Sequence, residues 1–340
     1  IRTVQRDLAH AGLVRNPADL AIFDPSTPGA RIVGRIVAEG VADESQDRRY
    51  LIVDGVDGRA HYVDLGVLTE AEPTLSPGLI VEVRGRNSAA RTVDRTIAAV
   101  AAEHDAVYSA TAHRAVDRTA SDEHIATHVR RLEALRRQRL VERTPDGEWT
   151  VGRDYLERAA RYEAHQRSRT PVGLAVLSWR PLDQLPGAEG ATWLDRQLTA
   201  ASPEAMRAAG FGAEVETALN RRRQWLLDQG FGREAHNQIV YARNLLATLQ
   251  RRELARAGAR LAQETGLDYV EAVKGKDVRG AYRRSIALAS GRFAVIEHTR
   301  EFTLVPWRPA LERARGRSIS GILGDQGLSF SIGKRRGLGL

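Results

Sequence analysis

One short pattern is written three times along this chain, and it limits the possible fold more than any other feature. A leucine on a helical stretch is followed four residues later by a capping position, and the next residue is apolar. A residue with strand character then lies ten positions past the cap. The copies are Leu8, Gly12, Leu13 and Ile22; Leu135, Arg139, Leu140 and Trp149; and Leu226, Gly230, Phe231 and Val240. In the second copy Ser121 and Asp122 can cap a helix start, and Ile125, Val129 and Leu132 share one helical face. Asp146-Gly147 then supplies a tight turn between strands 140–143 and 148–151. A helix followed at once by a short hairpin is the second half of a winged helix, whose recognition helix lies in a major groove. It is also a common way of filling a core. The first copy opens inside its own recognition helix, residues 2–10. With Ile1 first and Met206 the sole methionine, further residues are expected upstream.

A second, weaker repeat is rich in strand formers. Residues 31–65 and 277–307 each read as a glycine-bearing strand, a gap and a paired hairpin, with 49–54 (RYLIVD) matching 292–297 (RFAVIE). Further strands expected at 79–83 and 95–100 would let the first module curl into a small barrel. The run 54–58 (DGVDG) lacks the alternating acids of a calcium loop and reads as a hairpin turn. Residues 24–29 (DPSTPG) form a breaker-rich linker and 166–171 a polar hinge, while 153–165 and 243–264 are amphipathic helices. The expected class is therefore α+β, with repeated winged-helix-like elements alternating with small β-barrel-like modules. Its segments are a partial winged-helix element (1–24), a barrel module (31–110) and a winged-helix element (121–165). A connecting segment with a WLDR helix (171–212) and a winged-helix-like element with a long helix (213–265) follow. A second β module (266–312) and C-terminal strands with a basic tail (313–340) complete the chain.

The formal net charge is +8, and 48 of the 51 basic residues are arginine. A codon bias toward arginine would produce this, and so would a need for phosphate contact, because a guanidinium fork matches phosphate oxygens two at a time. The distribution is uneven. Residues 129–169 hold 11 basic against 7 acidic side chains, 213–265 hold 9 against 6 and 300–340 hold 8 against 3, whereas 31–100 hold 9 against 11. Arg130, Arg131, Arg136 and Arg137 on the middle helix, Arg221, Arg222 and Arg223 on the third, and Lys334, Arg335 and Arg336 in the tail are the candidate DNA contacts. The tail reads equally as a positively charged export signal.

Catalytic chemistry finds little support. Without cysteine there is no disulfide or thiolate ligand, a composition suited to the cytoplasm, and no apolar run is long enough to span a bilayer. His124 and His128 stand four apart on a helix, but Ile125 follows the first where a zinc protease needs glutamate, so both are expected as surface histidines with no metal. Residues 327–334 have the wrong spacing for a phosphate loop. Trp193-Leu194-Asp195-Arg196 reads as core plus a helix-stabilising pair, and Trp307 as a tryptophan closing a strand end. No catalytic residue, metal or cofactor is expected.

Four runs carry a resemblance: 53–63, 190–196 (GATWLDR), 289–293 (ASGRF) and 304–309 (LVPWRP). They are similar to the conserved C-terminal region of unknown function on conjugative relaxases, the mobilisation nucleases of the Vir and Tra type, over nearly the whole chain. The resemblance implies a non-catalytic region that engages plasmid or mobile-element DNA during nicking and transfer, with relaxosome or coupling proteins as further partners. The alternative is a protein-docking platform for a coupling protein or type IV secretion channel, without direct DNA contact. The tyrosine and His–hydrophobe–His cluster of a relaxase belong to its N-terminal domain and have no counterpart here. Arg139 replaces the glycine found at the other two caps, which implies distortion of about 1 kcal/mol if that position is left-handed.

Overall fold

The computed structural model describes residues 2–67, 75–86, 91–235, 238–324 and 327–332. The chain begins with α1 (Arg2–His10), β1 (Leu20–Ile22), β2 (Arg31–Asp43), β3 (Arg48–Gly55), β4 (Ala60–Val67) and β5 (Ile80–Gly85). A helical stretch follows, with α2 (Thr92–Ala102), β6 (Val107–Tyr108), α3 (Ala110–Val116), α4 (Asp122–Arg137), β7 (Glu142–Arg143), β8 (Trp149–Thr150) and α5 (Tyr155–Arg169). Next come β9 (Val172–Ser178), α6 (Trp193–Thr199), α7 (Gly210–Asp228), β10 (Gly232–Ala235), β11 (Gln238–Tyr241) and α8 (Leu245–Thr265). The last part holds β12 (Asp268–Tyr269), β13 (Asp277–Leu288), β14 (Gly291–Glu297), β15 (Glu301–Pro306), α9 (Pro309–Glu312), β16 (Ser318–Gly324) and β17 (Gly327–Ile332). Two compact units result. The larger contains residues 1–24, 29–84 and 174–340, and the smaller contains 25–28 and 85–173.

The larger unit is built on two six-stranded sheets of the same design. Their orders are β1-β4-β3-β2-β5-β9 and β12-β15-β14-β13-β16-β17. In each, a short edge strand runs parallel to its neighbour (β1 on β4, β12 on β15), and the pairs β2–β3 and β13–β14 share a shift of register near the same point, between Ile36 and Ala38 and between Tyr282 and Arg284; β2–β3 has a second between Val41 and Asp43. Gly34 and Gly280 occupy matching positions: a Cβ on either would lie 2.4 Å from a backbone oxygen, that of Asp54 or of Glu297. The sequence match of 49–54 with 292–297 is thus a match of structure. Both sheets stay open, so the expected barrels do not form. One reason is that residues 95–100, read as a closing strand, belong to helix α2; Ile97, Val100 and Ala101 recur at helical spacing and are buried. A helix precedes each edge strand and covers one face. Val4 and Leu8 of α1 pack with Val37, Tyr50 and Ile52, and Ala257 and Leu261 of α8 pack with Phe293, Val295 and Leu304.

The smaller unit surrounds Ile97, Tyr108, Leu132, Leu135, Trp149 and Tyr155. Its three-stranded sheet has the order β6-β8-β7, with β7 and β8 joined by the expected turn at Gly147 (φ 88°). The polar hinge expected at 166–171 is instead largely the last turn of α5. No described helix is long and apolar enough to cross a membrane.

The threefold pattern proves to encode the ends of helices. Gly12, Arg139 and Gly230 all adopt left-handed backbone (φ 69°, 58° and 73°). Each following apolar residue donates its N–H to the carbonyl of the leucine five positions earlier: Leu13 to Leu8, Leu140 to Leu135 and Phe231 to Leu226, each at 2.8–3.0 Å. The two residues of each pair share a hydrophobic cluster, which completes a Schellman cap. The element beyond the cap differs among the copies. Copies two and three continue into hairpins (β7–β8, β10–β11), but copy one leads into a parallel edge strand. Its structural counterpart is α8, capped by left-handed Gly266 and leading into β12. The partial winged-helix element expected at 1–24 is therefore part of the first sheet's framework. Arg139 carries the only one of these caps with a side chain. Replacing it with glycine should raise stability by about 0.5–1 kcal/mol, read as a shift of the urea midpoint at unchanged slope.

Candidate nucleic-acid interface

Helix α4 has matched ends. The Ser121 Oγ accepts from the His124 N–H at 3.2 Å, acids occupy the first turn, and Arg136 and Arg137 occupy the last, where they complement the helix dipole. Ile125, His128, Leu132 and Leu135 are buried. Arg130, Arg136 and Arg137 are exposed. The Arg130 Nη2 donates to Thr127 Oγ1 at 2.8 Å and Arg136 pairs with Glu133 at 3.0 Å, while Arg137 has no ion pair among the described residues. Arg139 is exposed at the cap, and Arg143 on the adjoining hairpin lies 5.1 Å from the centre of the Trp149 ring.

Arg131 does not join them. Its Nε and Nη2 donate to the two carboxylate oxygens of Asp94 at 2.9 and 2.8 Å, and Nη2 also reaches Glu163 at 2.9 Å. Asp94 also accepts from the Tyr155 hydroxyl at 2.8 Å and the Arg91 N–H at 3.2 Å. Burial pulls the Asp94 carboxyl upward, but the hydrogen bonds from Arg131 and Tyr155 outweigh it and hold the group below the usual carboxylate range. The cluster ties α2, α4 and α5 together.

Arg222 is likewise removed from the surface. It is fully buried, paired side by side with Asp195 at 2.8 Å for each of two contacts, and donates to the carbonyls of Pro186, Ala188 and Gly190. Its guanidinium also lies 4.2 Å from the centre of the Trp225 ring. Arg131 and Arg222 stand eight residues before their left-handed caps, Arg139 and Gly230. Each grips the third-position aspartate at a helix start, where the carboxylate accepts from the N–H of the capping residue: Asp94 from Arg91 at α2, and Asp195 from Thr192 in the full capping box of α6. Measured from the caps, only Arg130 with Arg221 and Arg131 with Arg222 stand at equivalent positions, and the second of these pairs points inward. Of the remainder, Arg221 is exposed and Arg223 is half-buried, donating to Asn220 at 2.5 Å. Lys334, Arg335 and Arg336 lie outside the described residues.

The runs that carry the family resemblance converge on scaffold. Asp195 caps its own helix through the Thr192 N–H and hydroxyl at 2.7 and 2.8 Å, while Arg196, expected as its partner, donates to the Ser290 carbonyl at 3.0 Å. The Ala191 N–H donates to Ser290 Oγ at 2.9 Å, and Glu253 accepts from the N–H groups of Ala289 and Ser290. Arg292 lies 5.0 and 4.0 Å from the ring centres of Trp179 and Trp307. Trp307 donates to Glu312 at 2.8 Å, beside Tyr282, which donates to the same oxygen.

Two histidines expected on a helix surface are placed differently. His128 is buried, only His124 is exposed, and a third, His113 on α3, is buried against both. Sequence reasoning missed His113 because it comes from another helix, with eleven positions separating it from His124.

The profile of a family described as "Protein of unknown function (DUF3363)" matches residues 1–339. No curated protein and no solved structure matches the chain.

Proposed function

The chain belongs to the DUF3363 family, and from that premise we propose that it is a non-catalytic, DNA-engaging region of a conjugative relaxase. In this reading it acts in the cytoplasm and holds plasmid or mobile-element DNA while a catalytic domain elsewhere nicks it. The observation that supports the reading best is the order of the smaller unit. Helix, strand, two helices and a hairpin come in succession, and the first strand pairs with the hairpin's second. That is the order of a winged helix, in which α4 is the recognition helix and β7–β8 the wing. The exposed cations Arg130, Arg136 and Arg137 lie on α4, Arg143 on β7 and Arg139 at the cap between them. The resemblance of the four runs to relaxase C-terminal regions supports the same assignment.

The test is titration of duplex and single-stranded DNA at several salt concentrations, with wild type and the triple variant R130A/R136A/R137A. Wild-type affinity should fall with salt, and the variant should bind about 10- to 100-fold more weakly at low salt. Its log–log salt slope should be shallower by up to ~0.9 for each phosphate contact removed. Because none of the three arginines is buried, the variant should unfold like wild type. Wild-type binding that ignores salt, or a triple variant that binds as well as wild type, would sink the proposal.

A further inference from the structure

We propose that His113, His124 and His128 form a binding site for one divalent first-row transition ion of the zinc type. One ligand atom from each lies within 4.8 Å of the others, and the ring centres of His128 are 4.7 Å from His113 and 4.6 Å from His124. The site belongs wholly to the smaller unit and does not depend on DNA binding.

Tautomer control favours an ion over a packed imidazole cluster. The His128 Nδ1 donates to the His124 carbonyl at 2.9 Å, which leaves its Nε2 lone pair to bind. The His113 Nδ1 is 2.6 Å from the Tyr108 hydroxyl, an oxygen that can accept from it and so leave the His113 Nε2 lone pair to bind as well. This is the outer-shell arrangement that orients metal-binding histidines.

Three imidazoles without an oxygen ligand select zinc, cobalt, nickel or copper over magnesium or calcium. Tetrahedral bonds of ~2.0–2.1 Å require nitrogens roughly 3.3 Å apart. His124, the exposed ring of the three, is the one with least packing to oppose that closure. His124 and His128 lie one turn apart on α4 and His113 on α3, so the ion would fasten α3 to α4. Water would complete the fourth position.

The experiment uses the full, untagged chain stripped with chelator, titrated with Zn²⁺ and Co²⁺, with Mg²⁺ as control. The expected result is one Zn²⁺ per chain, an intense tetrahedral Co²⁺ absorption and no response to Mg²⁺. H124A removes an exposed side chain and should fold normally, yet bind Zn²⁺ ~100-fold or more weakly. Tyr108→Phe loses only the outer-shell hydroxyl and should weaken binding about tenfold. Saturable one-to-one binding that H124A abolishes supports the site. Absence of binding at 100-fold excess Zn²⁺, a Co²⁺ spectrum like that of the hydrated ion, or H124A binding like wild type would overturn it.

Discussion

Arg222→Ala is expected to destabilise the larger unit by about 3–5 kcal/mol, the largest effect of any arginine substitution in the chain. The loss should appear as a melting transition lowered by roughly 10 °C. The magnitude comes from the groups left stranded. Asp195 is fully buried and would lose its charge partner, and the carbonyls of Pro186, Ala188 and Gly190 would lose their donor. Arg222→Lys should recover little, because an ammonium cannot make the side-by-side pair and still reach the carbonyls. An Arg222→Ala protein that melted like wild type while losing affinity for DNA would show that Arg222 faces ligand after all.

Arg131→Ala should be nearly as damaging to the smaller unit, by about 2–4 kcal/mol, since it leaves Asp94 buried without a counter-ion and Glu163 with only the more exposed Arg91. Hydrogen exchange should locate the loss in α2, α4 and α5, the three helices the cluster joins. Acid provides a second readout. A carboxyl whose folded pKa is depressed contributes stability that is complete above its ordinary pKa and disappears as pH falls through the folded value. Wild type should therefore lose the Asp94 contribution only below about pH 4, whereas the variant, left with the Tyr155 and Arg91 N–H donors alone, should show a smaller acid dependence. Equal protection of all three helices in both proteins would refute the role assigned to the cluster.

The mistaken expectation about these two arginines was avoidable from residues alone. Arg222 continues the buried series Val215, Ala218, Leu219 and Leu226, and Arg131 adjoins Leu132 and Leu135 on the inward side of α4. Each also comes after a buried helix-start aspartate earlier in the chain that needs a partner. Helical phase should have outweighed charge clustering. The β repeat was readable because Gly34 and Gly280 are required by a backbone approach that no other residue fits. The threefold pattern was readable as well, but as caps. A Schellman motif requires an apolar contact and a left-handed residue, and it leaves the next element unspecified. What no local pattern could reveal was the meeting of His113 with His124 and His128, because ligand geometry arises only when two helices cross.

The two sheets differ in one place that matters for the whole chain. In the second sheet, β16 passes to β17 through the short link 325–326, whereas the corresponding strands of the first, β5 and β9, are separated in sequence by residues 86–171. The smaller unit is thus a guest written into the equivalent of a hairpin turn. Its entry and exit are tied by the Arg86 N–H, which donates to the Pro171 carbonyl at 3.0 Å. While the host sheet is intact, the guest unfolds as a closed ring rather than a free chain, and the entropy it can gain is smaller by an amount on the order of 4 kcal/mol. The host, in turn, holds its last two strands together across a long ring whenever the guest melts. Each partner's folding thereby raises the other's through chain connectivity alone, with no contact required between them.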